Sequence, residues 1–138
     1  MKIISNSVEE TIKIGQEFAK RLSGGDVILL DGNLGAGKTH FSKGVALGLG
    51  VEEIVTSPTF TLHNAYQGNS YMLNHFDFYR IEDEDEAQQL GLDEIFYDTN
   101  GISIIEWWQN IKNLLPEKTC RVSIKAINDT QRESSIDE

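Results

Sequence analysis

The chain has 138 residues, with 12 Lys and Arg against 22 Asp and Glu, so its formal net charge at pH 7 is −10. This length suits one domain spanning residues 1–138, and a hydrophobic fraction of 39% excludes the disordered and fibrous classes. The negative charge argues against unaided binding to DNA or RNA, because it repels a phosphate backbone. The sequence shows no secretory signal, no apolar run long enough for a membrane span, and a single cysteine, Cys120. It therefore predicts a cytoplasmic protein without a membrane partner.

The first part of the chain alternates helix and strand patterns. Ser7 and Glu10 form a capping box, which predicts that a helix with one apolar side begins there. The short apolar run at residues 26–31 is typical of a strand that is covered on both faces. A glycine-rich segment, residues 32–39, follows that strand directly and leads into a helix predicted from Lys38 to about Gly48.

Two runs in the middle of the chain predict a β-hairpin. Residues 54–62 are rich in strand-forming residues but are interrupted by Pro58, and residues 71–78 form the second run. A helix is predicted over residues 83–90. The five consecutive carboxylates of residues 82–86 are typical of a solvated first helical turn, although they also suit an acidic patch that binds a partner.

The last part of the chain predicts two more strands. Residues 101–106 have the pattern of a buried strand, residues 107–115 that of a short helix, and residues 121–127 that of an alternating strand. The polar tail from Asn128 is expected to fray. Strands that alternate with helices indicate an α/β fold. We expect a P-loop NTPase-like, mostly parallel sheet flanked by helices, with a β-hairpin insertion.

The segment from Gly32 to Thr39 matches the phosphate-binding pattern of Gly, four residues and Gly-Lys-Thr. Its position between a strand and a helix places backbone N–H groups at a helix N-terminus, where they bind phosphate. Lys38 is expected to contact the β- and γ-phosphates, and the hydroxyl of Thr39 to bind Mg²⁺. A glycine-rich turn with a capping threonine is the alternative. The residues expected to hold the nucleotide here are Asn33, Leu34, Gly35, Ala36, Gly37, Lys38, Thr39 and His40.

Two carboxylates stand at predicted strand ends, where nucleotides bind in open α/β sheets. Asp77 ends one strand and Glu106 ends another, and either is a candidate to hold Mg²⁺ or to orient the attacking water. The alternative is that each caps the following turn or helix, as Asp77 would do before Phe78 and Tyr79. The histidines have no metal-ligand spacing and are interpreted as structural or surface residues: His40, His63 and His75.

Two further features lie near these candidates in the sequence. Residues 57–60 follow the phosphate-loop helix, and the hydroxyl of Thr59 is placed where a switch loop senses the γ-phosphate. Ordinary turn chemistry around Pro58 is an equally weighted alternative. Trp107 directly follows Glu106, and an exposed tryptophan there is a candidate partner contact, with core packing as the alternative.

Four motifs in this order resemble the TsaE (YjeE) family. They are Gly-Asn-Leu-Gly-Ala-Gly-Lys-Thr at 32–39, Ser-Pro-Thr-Phe-Thr-Leu at 57–62, His-Phe-Asp-Phe-Tyr-Arg-Ile at 75–81 and Ile-Glu-Trp at 105–107. The resemblance extends from Ser7 to about Arg132, nearly the whole chain. Departures from the usual family pattern occur at Asn33, His40 and Trp108, and none removes a group that the phosphate chemistry needs.

The resemblance implies a bacterial Mg²⁺-dependent ATPase that supports the synthesis of threonylcarbamoyladenosine in tRNA. It implies that ATP hydrolysis is needed for turnover of the partner proteins TsaB and TsaD, and that tRNA is reached only through these partners. The acidic net charge agrees with that arrangement. No DNA contact is implied.

The resemblance also assigns roles to residues of this chain. Thr39, Asp77 and Glu106 match the metal-site residues, Lys38 the phosphate-binding lysine and Thr59 the switch position. The catalytic set that it implies is Lys38, Asp77, Glu106 and Thr59. Thr11 and Arg132 fall in regions that it places near the nucleotide base, and Trp107 matches the tryptophan of the Glu-Trp motif.

Competing interpretations of the phosphate loop stay open at this point. A small-molecule kinase would need an acceptor pocket and usually an arginine-rich lid, and nothing after Glu106 resembles one. A GTPase would need an Asn-Lys-x-Asp motif, which the sequence lacks. A nucleotide-regulated binding module would need no hydrolysis. The isolated chain is expected to hydrolyse ATP slowly, because the sequence has no identifiable arginine finger or separate lid. Arg80, just after the Asp77 motif, is the only nearby candidate for such an arginine.

Overall fold

The computed structural model describes residues 1–33 and 36–137, and within these ranges seven strands form a single mixed sheet flanked by helices. The helices are α1 (Val8–Ala19), α2 (Lys38–Gly48), α3 (Glu84–Gln88) and α4 (Leu92–Phe96), with a 3-10 helix at Trp108–Leu114. The strands are β1 (Lys2–Ser5), β2 (Val27–Asp31), β3 (His63–Gln67), β4 (Met72–Asp77), β5 (Gly101–Glu106), β6 (Cys120–Ala126) and β7 (Arg132–Asp137). Their order in the sheet is β1-β7-β6-β2-β5-β4-β3.

The centre of the sheet is parallel and its edges are antiparallel. Strands β6, β2, β5 and β4 are neighbours in that order and all run in the same direction. The hairpin β3–β4 closes one side, and β7 and β1 add antiparallel strands on the other. The prediction of a mostly parallel sheet therefore describes only the centre, because three of the six strand pairs are antiparallel.

Each central strand contributes side chains to two hydrophobic cores. In β2, Ile28 and Leu30 pack on the side of α1 and α2, whereas Val27 and Leu29 pack on the side of α3, α4 and the 3-10 helix. Successive strand residues point to opposite faces, so an uninterrupted apolar run is what a doubly covered strand requires. The predicted buried strands at residues 26–31 and 101–106 are confirmed in this respect.

The predicted capping box begins α1. The N–H of Glu10 donates to Ser7 Oγ at 3.1 Å, and Glu10 Oε2 accepts from the N–H of Asn6 at 2.9 Å. Glycines let α1 and α2 approach closely: a Cβ at Gly15 would overlap the carbonyl oxygen of Phe41, and one at Gly44 would overlap that of Ile12. This contact fixes the start of α2 against the rest of the fold.

Two single substitutions on α2 are expected to change stability in opposite directions. Gly44→Ala should lower the free energy of unfolding by about 1–3 kcal/mol, because the new methyl group meets backbone of α1. Ser42→Ala should raise it by about 1 kcal/mol, because Ser42 Oγ is buried without a hydrogen-bond partner in the structure. Urea unfolding of both variants measures the difference, and a loss of stability in Ser42→Ala would contradict this account.

Several predicted elements are wrong or incomplete. The first hairpin strand is β3 rather than residues 54–62, where Pro58 accepts turn hydrogen bonds from Thr61 and Leu62. The tail from Asn128 does not fray: it returns as β7 and pairs with β6 and β1. The sequence patterns also missed β1 and α4, and the helix predicted over residues 107–115 is a 3-10 helix that starts at Trp108. Within the described part of the chain, no helix has the length and apolar character to cross a membrane.

Candidate functional site

A cleft of about 830 Å³ opens where β2, β4 and β5 end, beside the N-terminus of α2. This is the edge of a parallel sheet at which strand carboxyl ends meet. The cleft brings together most of the residues selected from the sequence, namely Thr11, Gly37, Lys38, Thr39, His40, Thr59, Asp77, Glu106, Trp107 and Arg132. Asn33 and Ala36 line a second cavity of about 600 Å³, which shares Lys38 and Trp107 with the cleft. Leu34 and Gly35 lie outside the described residues.

The N-terminus of α2 has the geometry of an anion site. Gly37 precedes the helix with φ 106° and ψ 15°, a left-handed conformation that glycine adopts without strain. Among the described residues, no side chain caps this end of the helix. Lys38, Thr39 and His40, whose N–H groups belong to the unpaired first turn, line the cleft. Together with the helix dipole, they favour a bound anion.

Glu106 is held by two cationic or hydrogen-bonding partners. Its side chain is nearly inaccessible at the end of β5, with Oε1 3.3 Å from Lys38 Nζ and Oε2 2.7 Å from His75 Nε2. Burial alone raises the pKa of Glu106. The hydrogen bond and charge of His75, and then those of Lys38, outweigh burial and hold this pKa below its ordinary value of 4.5. Glu106 is therefore a carboxylate near neutral pH.

This lowered pKa predicts a contribution of Glu106 to stability that depends on pH. The carboxylate form stabilises the fold, so the contribution is complete above the ordinary pKa of 4.5 and is lost as the pH falls through the lower folded value. Urea unfolding can be measured in metal-free buffer between about pH 3 and pH 6. As the pH falls, the free energy of unfolding should decrease more steeply in the wild type than in Glu106→Gln. Parallel pH curves for the two proteins would contradict this prediction.

Asp77, at the end of β4, joins the loop of residues 57–60 to the sheet. Its Oδ2 accepts a hydrogen bond from Thr59 Oγ1 at 2.9 Å, and its Oδ1 accepts one from the N–H of Tyr79 at 2.9 Å. Thr59 Oγ1 also lies 2.7 Å from Ser57 Oγ. Asp77 thus caps the turn after β4 and at the same time holds Thr59 in the cleft.

Trp107 forms an exposed wall next to the catalytic candidates. Its backbone has φ 56°, in the left-handed region, and its side chain is 43% exposed. Its ring centroid lies 6.0 Å from Lys38 Nζ and 4.9 Å from the ring of Tyr79. Trp108, in contrast to Trp107, packs against the core, and its Nε1–H donates to Asp31 Oδ1 at 2.9 Å.

A second wall of the cleft comes from the start of α1 and the turn before β7. Thr11 is buried, and its Oγ1 lies 2.7 Å from Ser5 Oγ. Arg132 donates from Nη1 to the carbonyl oxygens of Asn128 and Gln131, at 2.7 and 2.9 Å. Hydrogen bonds therefore hold the polar groups of this second wall in place.

The sequence prediction missed several residues of the site, and two of them contact predicted site residues. His75 is 1% exposed and bonded to Glu106, and Tyr79 lines the cleft beside Trp107. A signal for His75 was present: it stands two residues before Asp77, and alternate residues of a strand share a face. Arg80, the arginine selected from the sequence, stacks over the ring of Phe60 at 4.6 Å.

The donor set suits a hard divalent cation. Within residues 1–33 and 36–137, no three His, Cys, Asp or Glu side chains form a metal-binding group. Mg²⁺ does not need such a cage, because it is usually held by one or two carboxylates together with substrate phosphates and water. The hydroxyl of Thr39 and the carboxylates of Asp77 and Glu106, all lining one cleft, fit that requirement.

Comparison with known proteins agrees with the motifs. The family described as "Threonylcarbamoyl adenosine biosynthesis protein TsaE" matches residues 5–134. The chain is similar to the tRNA threonylcarbamoyladenosine biosynthesis protein TsaE of Treponema pallidum (strain Nichols), with 40% identity over 99% of both chains. It is 46% identical to the protein of the same name from Bacillus subtilis (strain 168), over 91% of this chain and 77% of that one.

A solved structure extends the similarity to the fold. The crystal structure of YdiB from Bacillus subtilis superposes with a TM-score of 0.84 and 37% identity, covering 99% of this chain and 83% of that one. The family match covers nearly the whole chain, and the sequence and structural similarities agree with one another. The chain therefore belongs to the TsaE family.

Proposed function

We propose that this chain is a cytoplasmic, Mg²⁺-dependent ATPase that supports threonylcarbamoyladenosine synthesis in tRNA by acting with TsaB and TsaD. The observation that carries this proposal is the convergence of Lys38, Asp77 and Glu106 on one cleft at the N-terminus of α2. Family membership supplies the pathway, since TsaE relatives are named for threonylcarbamoyladenosine biosynthesis.

The residues of the chain divide the chemistry between binding and activation. The N–H groups at the start of α2 and the ammonium of Lys38 bind the phosphates, where negative charge develops during transfer. Mg²⁺, when bound by Thr39 with Asp77 or Glu106, would neutralise charge on the β- and γ-phosphate oxygens. Lys38 lies 3.3 Å from Glu106, so a bound phosphate would compete with this carboxylate for the ammonium group. The carboxylate that is not bound to the metal is then available to orient the attacking water.

The nucleoside end of the cleft favours ATP in this proposal. The sequence lacks the guanine-reading Asn-Lys-x-Asp motif. The wall that contains Thr11 and Arg132 belongs to the same cleft as Lys38, and in this proposal it accommodates the base. His40, in the first turn of α2, lines the same space.

The isolated chain should hydrolyse ATP slowly. An arginine directed at the γ-phosphate raises the rate of hydrolysis by a factor of about 10³ to 10⁵. Here the guanidinium of Arg80 packs on Phe60, and that of Arg132 bonds to the backbone carbonyls of Asn128 and Gln131. The proposed partners would therefore raise the rate, and the exposed Trp107 beside Lys38 is the proposed contact for them.

The test is to measure ATP hydrolysis by the purified chain alone, with TsaB and TsaD, and with both partners and tRNA. We expect slow hydrolysis alone, acceleration with partners, and loss of both hydrolysis and tRNA modification in Lys38→Ala. Modification that proceeds normally with Lys38→Ala would instead favour a binding module without physiological hydrolysis. Transfer of the γ-phosphate to a small acceptor would favour a kinase.

A further inference from the structure

We infer that His75 is a positioning residue, which fixes the carboxylate of Glu106 so that one of its oxygens faces the cleft. This inference rests on the proposed ATPase function and adds a residue to it. His75 does not line the cleft among its described residues, so its action on the reaction would pass through Glu106.

The sheet register brings the two side chains together. Strands β4 and β5 are parallel neighbours, with His75 opposite Ile104 and Asp77 opposite Glu106. His75 therefore lies diagonally from Glu106 on the adjacent strand, where long side chains make contact. Its ring is 1% exposed, and Nε2 lies 2.7 Å from Glu106 Oε2. This bond is buried and short, which is typical of a charge-assisted hydrogen bond.

The geometry also assigns the hydrogen to Nε2. If Nε2 carried no hydrogen, its lone pair would point at a lone pair of the Glu106 carboxylate, which is repulsive. Nε2 therefore carries the hydrogen and donates it to Glu106. The other nitrogen, Nδ1, is buried without a hydrogen-bond partner in the described structure. Leaving a buried polar atom unpaired is costly. An apolar side chain at this position would leave no polar atom unpaired. The interaction that His75 provides in return is its bond to Glu106.

The bond determines what the second oxygen of Glu106 does. With Oε2 held by His75, Oε1 contacts Lys38, at 3.3 Å. Without a donor at residue 75, the carboxylate is free to turn and engage Lys38 with both oxygens. Such a pair would draw Lys38 away from a phosphate and remove the oxygen that Mg²⁺ or water would use. Loss of a residue that orients a ligand typically costs about 10- to 100-fold in metal affinity or activity.

Three substitutions at residue 75 separate positioning from packing. His75→Gln places an amide N–H near the position of Nε2, whereas His75→Asn places one near that of Nδ1, too short to reach Glu106. His75→Leu removes the donor and keeps an apolar side chain. We expect hydrolysis about 10- to 100-fold slower in His75→Leu and His75→Asn, with a higher half-saturating Mg²⁺ concentration, and a rate near that of the wild type in His75→Gln. Binding of a fluorescent ATP analogue in EDTA should weaken in His75→Leu and His75→Asn, because the turned carboxylate holds Lys38 away from the phosphates, and it should stay near that of the wild type in His75→Gln.

A second readout needs neither nucleotide nor metal. In urea unfolding without nucleotide or metal, the losses of unfolding free energy caused by His75→Leu and by Glu106→Ala should not add up in the double variant. Each substitution removes the same bond. Three results would overturn the inference. They are additive effects on unfolding, equal hydrolysis rates in His75→Asn and His75→Gln, and a normal rate and Mg²⁺ requirement in His75→Leu. Absence of hydrolysis in the wild type, with non-additive unfolding, would instead refute the proposed ATPase function while leaving the His75–Glu106 bond demonstrated.

Discussion

Replacing Glu106 by glutamine is expected to lower the rate of ATP hydrolysis about 10²- to 10³-fold, the range seen when one preorganised electrostatic group is removed. Glutamine keeps the shape of the side chain and an oxygen that accepts from His75, but it removes the negative charge that faces Lys38 and the cleft. ATP affinity in EDTA should be retained or increase, because Lys38 no longer pairs with a competing carboxylate. Steady-state hydrolysis and titration with a fluorescent ATP analogue measure the two effects.

The matched control for this variant is Glu94→Gln, an identical chemical change at an exposed position of α4. Its rate should equal that of the wild type. If Glu106→Gln hydrolysed ATP as fast as Glu94→Gln, Glu106 would have no part in the chemistry, and Asp77 alone would have to supply the carboxylate.

Phe76→Ala is expected to lower the free energy of unfolding by about 3–5 kcal/mol, the usual loss for truncating a buried aromatic side chain. Phe76 is fully buried on the face of β4 opposite to His75. Its ring stacks on His63 at 4.3 Å and on Phe78 at 5.4 Å, and it meets Phe96 edge-on at 5.7 Å. The cavity left behind would therefore affect β3, β4 and α4 together. Because a domain is typically stable by about 5–15 kcal/mol, the variant should be near its unfolding threshold.

Phe60→Ala is the control for Phe76→Ala, because the same atoms are removed from a side chain that is 78% exposed. It should change the free energy of unfolding by no more than about 0.5 kcal/mol. Thermal or urea unfolding of the two variants distinguishes them. Similar losses in both would mean that the aromatic cluster around Phe76 does not stabilise the sheet as described.

The central strands and the position of the site were predictable from the sequence because local signals fix both. The apolar runs at residues 26–31 and 101–106 mark strands covered on two faces, and parallel strands bring their carboxyl ends to one edge. Asp77 and Glu106 stand at such ends, and the register pairs them directly. The approach of Glu106 to Lys38 then follows from the position of α2 after β2.

The edges of the sheet were not predictable in the same way. Strands β1 and β7 carry mixed polar sequences, and they are strands because each supplies the other with a backbone partner. Their pairing joins residues more than 120 positions apart, as between Ser5 and Arg132, and no local pattern reports such a contact. For His75 the sequence indicates only that it shares a face of its strand with Asp77, because its partner, Glu106, is brought beside it by β5.

The pairing of β1 with β7 also determines when the cleft becomes complete during synthesis. One wall contains residues from the start of the chain and from the turn before β7, joined by a hydrogen bond from Gln131 Nε2 to Asn6 Oδ1 at 2.7 Å. On the ribosome, residues 32–39 emerge long before Arg132 is made. A nascent chain therefore lacks this wall of the cleft until β7 has left the exit tunnel and paired with β1.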